Sequence, residues 1–385
     1  MPTSSSLPAR ARGAAVPFAV GVDLDGAGAH PGAARASGLA DVDLVSGARL
    51  ARTVRHAENA GFTFATFADA LLATEPGARS SARLDAVTRA AFVARTTTAL
   101  GLVPVVDTTY PEPFHVSSQL ASLDHATRGR AGWLATVTPG SATPAAYGRA
   151  PAADLAREAR DVVRVVRDLW DSWEDDAVVR DVATGRYLDR DRVHAVDFAG
   201  ESFSVAGPSI VPRPPQGRPL VLAALDAVAD GTADGPGGPL VDVVVVPGSD
   251  VRSARAAGAA ARAAGAPRVV VEVEVVLDVA GHGGAARLAA LDAARPWDAA
   301  GRLRHVGDAA GLVALLRDLA TGDDALDGVR LLPALLDDDL PVLARDVLPA
   351  LRAERLAAAP RPGATLRDHL GLARPASRFD ARLTA

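Results

Sequence analysis

The residues best placed to do chemistry are polar side chains that stand where apolar runs stop. Asp107, Thr108 and Thr109 follow LGLVPVV, Thr138 closes GWLATV, and Asp69 follows FTFATFA. Hydroxyls and carboxylates in such places can hydrogen-bond a bound molecule. Threonine and aspartate also cap the segment that follows, so the same positions read as structural caps. An acid directly after a buried strand needs a partner in either case. His30, in the glycine-rich stretch DGAGAHPGAAR, reads as a substrate-pocket residue or as an exposed loop histidine.

Other chemistries are excluded or unsupported. The chain has no cysteine, which removes disulfides, thiolate metal sites, iron–sulfur clusters and cysteine nucleophiles. Its 8 histidines lack ligand spacing, so no metal site is expected. No G-x-G-x-x-G opens a helix after a strand, and there is no Walker A loop.

The elements that must position these residues are most legible over Leu84 to Thr138. Leu84 to Ala99 has a one-sided apolar pattern and reads as a helix, with Gly101 as its stop. Leu102 to Val106 is a buried-type strand, with Pro104 awkward inside it. Pro111 and Pro113 interrupt the chain, Phe114 to His125 is helical, and Trp133 to Val137 is a second strand. Strand, helix, strand in that order favours parallel pairing through a right-handed crossover.

Further strands are expected at Pro17 to Leu24, Phe62 to Phe67, Pro219 to Ala224, Val241 to Val246, Arg268 to Leu277 and Gly328 to Leu332. Helices are expected at Ser46 to Ala60, Ala152 to Trp173, Ser249 to Ala264, Gly284 to Ala293, Asp308 to Leu319 and Leu340 to Leu356. The stretch after the fifth strand has too many glycines and prolines for a long helix. Repeated strand–helix units of this number predict a (β/α)8 TIM barrel, with an open doubly wound sheet as the alternative. The working face of such a barrel is the carboxyl end of its strands, where Asp69, Thr108, Thr109 and Thr138 fall. Residues 174–216 read as an excursion inserted after the fourth strand, 1–15 as disordered, and 16–385 as a single barrel domain.

Composition agrees with that class. The 385 residues are 49% hydrophobic and 23% charged, with net charge -5, as in an ordinary globular protein. All 41 basic residues are arginine, interspersed with acids, so no basic stripe suggests nucleic acid. MPTSSSLPARARG lacks the apolar core of a signal peptide, and no apolar run nears the roughly 20 residues that span a bilayer. A cytoplasmic protein without membrane attachment is expected.

Several stretches, in order along most of the chain, resemble the bacterial luciferase-like flavin monooxygenases. The nitrilotriacetate and dibenzothiophene-sulfone monooxygenase branch is the most similar. The matching words are GAGAHPGAAR, AENAGFTFATFADA, LGLVPVVDTTYPEPFHVSSQLASLDHATRGRAGW, LWDSWEDDAVVRD, GRYLDRDRVHAVDFAGESFSVAGPSIVPRPPQGRP and TLRDHLGLARP. The resemblance implies a (β/α)8 barrel, a homodimer, and reduced FMN supplied by a separate NAD(P)H-dependent flavin reductase. It implies reaction with dioxygen to oxygenate a small organic substrate. The cofactor then carries the hard chemistry, and the protein binds, orients and excludes water.

By the same resemblance, Asp69 matches the acid near the flavin, and Thr108 or Thr109 matches the threonine after the third strand. Other positions depart from the family. Trp133 and Leu134 stand where it has tryptophan–asparagine. Ala152 and Ala156 stand where a histidine and a tyrosine meet the FMN phosphate. Ala223 to Ala227 replace a glutamine–alanine–glycine and serine stretch. Asp226 adds a negative charge near the expected phosphate, costing roughly 1 kcal/mol at about 4 Å in water. Arg149, Arg157 and Arg160 are candidate replacements, or else lie on a solvated helix face. Three readings follow: an FMN monooxygenase with an altered phosphate site, a cofactor-poor relative or partner subunit, and an oxidoreductase using deazaflavin F420.

Overall fold

A computed structural model describes residues 16–72, 82–140, 142–224, 239–298 and 301–379. The N-terminal stretch expected to be disordered and the poor helix after the fifth strand lie outside these. The strands are β1 (Ala19–Asp23), β2 (Phe64–Phe67), β3 (Gly101–Asp107), β4 (Gly132–Thr136), β5 (Leu220–Ala224), β6 (Val243–Val246), β7 (Arg268–Leu277) and β8 (Gly328–Pro333). Each pairs in parallel with the next, and β8 also pairs in parallel with β1. The sheet is therefore a closed eight-stranded barrel, as the repeated units predict.

Two-residue alternation sorts the strand side chains. Val20, Val22, Leu102, Trp133, Val221, Val244, Val269, Val329 and Leu331 belong to the core between barrel and helices. Ala19, Phe64, Val103, Val105, Leu134, Leu220, Leu222, Val243, Val245 and Val270 pack inside the barrel. Gly21 makes room there: a Cβ on it would stand 2.2 Å from the Phe64 ring. Leu366 and Leu370 join the inner cluster. A Cβ on Gly101 or Gly132, the first residues of β3 and β4, would lie 2.6 or 3.2 Å from Leu366. The TLRDHLGL segment thus closes the amino-terminal end of the barrel.

Local chemistry explains most boundaries. Ser46 caps the helix Gly47–Ala60 by accepting from the Arg49 N–H, and Gly61 ends it at φ 81. The helix expected at Leu84 to Ala99 is shorter, Ala86–Val93, with Asp85 as its cap and one 3-10 turn after it. Gly101 is not its stop but the first residue of β3. Pro104 lies inside β3, which bridges Ala131 just before β4 at Leu102 and pairs with β4 from Val105 onward. Pro113 is the first residue of the next helix, Pro113–Thr127, where a missing N–H costs nothing.

An extra strand, Leu303–Gly307, was not expected. It runs parallel to Val273–Leu277 of β7, beyond the reach of β6, which pairs only with Arg268–Val271. Its RLRHVG sequence is too charged to read as a strand. The excursion after the helix Leu155–Asp171 forms two small hairpins, Val178–Asp181 with Arg186–Leu188, and Phe198–Ala199 with Ser204–Val205. It is held by buried Asp171, which pairs with Arg213 at 3.1 Å and also with Arg218. Buried Asp124 accepts from the Gln216 side-chain amide at 2.6 Å and its backbone N–H at 3.0 Å.

Candidate functional site

The carboxyl ends of β3 and β4 gather the predicted threonines around one carboxylate. Asp107, the last residue of β3, continues the inward parity of Val103 and Val105. Its Oδ1 accepts from the Thr109 N–H at 2.7 Å and its Oδ2 from the Thr138 hydroxyl at 2.6 Å. The Thr108 N–H and hydroxyl donate to the Thr136 carbonyl at 2.9 and 3.0 Å. Asp107 is buried and has no cationic partner among the described residues. Thr109 is buried as well, and its Oγ1 has no hydrogen-bond partner. Such a group costs about 1–3 kcal/mol unless something completes it.

Two phenols and an arginine stand beside this set. The Tyr110 and Tyr147 rings lie 5.5 Å apart, and the Arg149 guanidinium is 5.7 Å from the Tyr110 centroid. Arg149 donates to the Thr109 carbonyl at 2.7 Å and pairs with buried Glu158 at 3.1 Å. Burial, then Asp107 and Glu158, push the Tyr110 phenol above its ordinary range. Burial, then Asp107 and Asp69, do the same to Tyr147. Both phenols are neutral donors at physiological pH.

Asp69 is half-buried at the end of β2. Its oxygens accept from the backbone N–H groups of Ala70 and Ala86, each at 2.8 Å, so it also fixes the start of the helix Ala86–Val93. His30 is buried rather than an exposed loop histidine. Its Nδ1 accepts from the Gly32 N–H at 2.9 Å, so Nε2 carries the proton and donates to Asp292 at 3.0 Å. Its ring meets Trp297 edge-on at 5.1 Å. Burial lowers its pKa against the pull of Asp292, so it stays neutral. The structure brings Thr108, Thr109 and Thr138 together, sets Asp69 near enough to act on Tyr147, and commits both nitrogens of His30 to the fold.

The opposite wall of the lumen carries charges that the sequence reading did not single out. Arg330 on β8 donates to Asp23 at 2.7 Å and Thr66 at 2.8 Å and also pairs with Glu272. Thr66 donates to Asp23 at 2.7 Å. Arg302 and Arg304 flank the extra strand's start and reach Glu272 at 2.6 Å and Glu274 at 2.7 Å. Burial opposes the charge on Glu272, but Arg330 and Arg302 outweigh it and hold its carboxyl below the usual range. The signal was present: VVVEVEVV places two glutamates two apart in a valine strand, hence on one face.

The places expected to meet a flavin phosphate are differently built. Ala152 and Ala156 are half-buried and offer no polar side chain. Asp154 caps the helix Leu155–Asp171, accepting from the Arg157 N–H at 2.9 Å. Arg157 is exposed and pairs with Glu201, and Arg160 is half-buried on the same helix. Asp226 and Ala227 lie outside the described residues, within a stretch, 225–238, that has three aspartates and no basic residue. The residues fit a flavin ring, by the unpartnered Thr109 hydroxyl beside neutral phenols. Among the described residues, Ala152 and Ala156 give its phosphate no side-chain donor. Among the described residues no group of three or more histidines and acids could hold a metal ion, and no helix is long and apolar enough to cross a membrane.

The luciferase-like monooxygenase family model matches residues 24–334. Component A of nitrilotriacetate monooxygenase from Aminobacter aminovorans is 41% identical over 159 residues, 40% of this chain and 34% of that protein. One of the subunits of pristinamycin IIA synthase from Streptomyces pristinaespiralis is 39% identical over 185 residues, 47% of this chain and 60% of that protein. The alignments thus span about a third to three-fifths of these relatives' length. A solved long-chain alkane monooxygenase shares the fold with TM-score 0.77 at 17% identity, over 92% of this chain and 95% of its own.

Proposed function

The chain belongs to the luciferase-like monooxygenase family, and from that premise we propose that it is a flavin-dependent monooxygenase, built as one barrel domain, that oxygenates a small organic substrate. The observation that carries the reading is the buried, unpartnered Thr109 hydroxyl at the carboxyl end of β3. In this reading Thr109 and Asp69 face the flavin. Thr108 and Thr138 hold the ends of β3 and β4 in place around Asp107. When bound, the flavin supplies the reaction with dioxygen; the protein supplies orientation and a site shielded from water. The neutral phenols of Tyr110 and Tyr147 can donate to an oxygen without carrying charge.

Reduced FMN reaches the site from a separate NAD(P)H-dependent flavin reductase in this reading. The relative named as component A of a monooxygenase supports a multi-component arrangement. A homodimer in the cytoplasm completes the proposal. A second reading is a companion subunit without its own flavin. The relative named as one subunit of a synthase favours it, as does the closed set of bonds around Asp107.

Anaerobic titration with reduced FMN separates the two. Binding at micromolar level supports the enzyme, whereas no binding at roughly 100 µM supports the companion subunit. The same titration with reduced F420 tests the deazaflavin alternative.

A further inference from the structure

We infer that this site takes a flavin by its ring and does not read the terminal phosphate, so that riboflavin, the phosphate-free flavin, binds at least as tightly as FMN. The inference rests on the flavin reading above and specifies its ligand.

A phosphate brings nearly two negative charges and needs donors that the protein does not already use. The start of the helix Leu155–Asp171 would ordinarily offer free amides and a favourable dipole. Here Asp154 already occupies it, accepting from the Arg157 N–H at 2.9 Å. Buried Glu158 adds a second negative charge in the same first turn. Ala152 and Ala156 contribute no side-chain donor. Arg149 is the cation beside the ring end of the site, and it is already bound to the Thr109 carbonyl at 2.7 Å and to Glu158 at 3.1 Å.

A phosphate drawing Arg149 away would leave Glu158 buried and uncompensated, a strongly unfavourable exchange. The ring end has the opposite balance. The Thr109 hydroxyl is buried and unpartnered, and the Tyr110 and Tyr147 rings, tilted 32° to each other, give an uncharged aromatic surface to pack against. Among the described residues named here, those that favour binding lie at the end shared by riboflavin and FMN.

The test is a parallel anaerobic titration of the full-length protein with reduced riboflavin and reduced FMN, following the heat of binding. The expected result is a riboflavin Kd equal to or below that of FMN. An FMN Kd tenfold or more below that of riboflavin would overturn the inference while leaving flavin binding intact. No binding of either at roughly 100 µM would overturn the inference and the flavin reading together. Glu158→Gln gives an independent arm. Freed from its partner, Arg149 should raise FMN affinity about fivefold relative to riboflavin. Affinities that change equally, or not at all, would count against the account of Glu158.

Discussion

Arg330→Met removes a buried cation from the barrel lumen, and its consequence can be worked out from the contacts. Arg330 is held between Asp23, Thr66 and Glu272, with its side chain only 9% exposed. Burial opposes its charge, yet Asp23 and Glu272 outweigh that and raise its pKa. After the substitution Glu272 keeps Arg302 at 2.6 Å. Asp23 keeps only the Thr66 hydroxyl at 2.7 Å and becomes an uncompensated buried carboxylate. Breaking such a pair costs about 3–5 kcal/mol, and the surviving Arg302 contact places this case near 3. With a urea slope of about 2–3 kcal/mol per molar, the unfolding midpoint should fall by about 1 M. Adding Asp23→Asn and Glu272→Gln removes the stranded charges and should restore most of the loss. Urea unfolding at neutral pH checks both. A midpoint moved by less than about 0.3 M in Arg330→Met, or no recovery in the triple variant, would refute the view that this layer is held by charge compensation.

Thr109→Val deletes the unpartnered hydroxyl at nearly constant shape. Stability should stay level or rise by up to about 1 kcal/mol, while flavin affinity falls about fivefold; a clear loss of stability would mean that the hydroxyl is satisfied within the fold. Asp124 is predicted to make the protein more stable toward acid. Burial raises its pKa from 3.8 to about 6, against opposing hydrogen bonds from Gln216 and Ala131. A raised folded pKa gives a contribution fully present below the unfolded value and lost as pH rises through about 6. Relative to Asp124→Asn, the wild type should therefore lose about 2 kcal/mol between pH 4 and 7, and a pH-independent difference in urea unfolding would contradict it.

The barrel was legible because its strands are doubly buried. Runs such as VDVVVV and RVVVEVEVVL need both faces covered, as a barrel or a doubly wound sheet covers them, and the parallel pairing of β8 with β1 decides for the barrel. Ends were legible where a cap marks them, as Ser46 and Gly61 do. They were misread where tertiary packing decides. Gly101 looks like a helix stop, yet it is glycine because Leu366 fills the space its Cβ would take. That contact joins residues far apart in sequence, and no local pattern could announce it. The strand Leu303–Gly307 was illegible for a related reason: Arg304 within it and Arg302 just before it are placed there by Glu274 and Glu272, which await them on β7.

The site was legible in position but not in allegiance. Parity and strand ends placed Thr108, Thr109 and Thr138 at the mouth, and the structure gathers them there around Asp107. Whether each threonine serves the fold or a ligand depends on which oxygen is already taken. Thr108 and Thr138 spend their hydroxyls on the Thr136 carbonyl and Asp107, whereas Thr109 spends only its backbone. Asp69 likewise gives both oxygens to amides and still acts on Tyr147 through its charge. The same accounting explains the arginines. Arg149 and Arg157 sit where an anion could be met, but each faces an acid, Glu158 or Glu201, that the sequence places at no recognisable spacing. Functional assignment here turns on unspent hydrogen-bonding capacity, and that property exists only once the chain has folded.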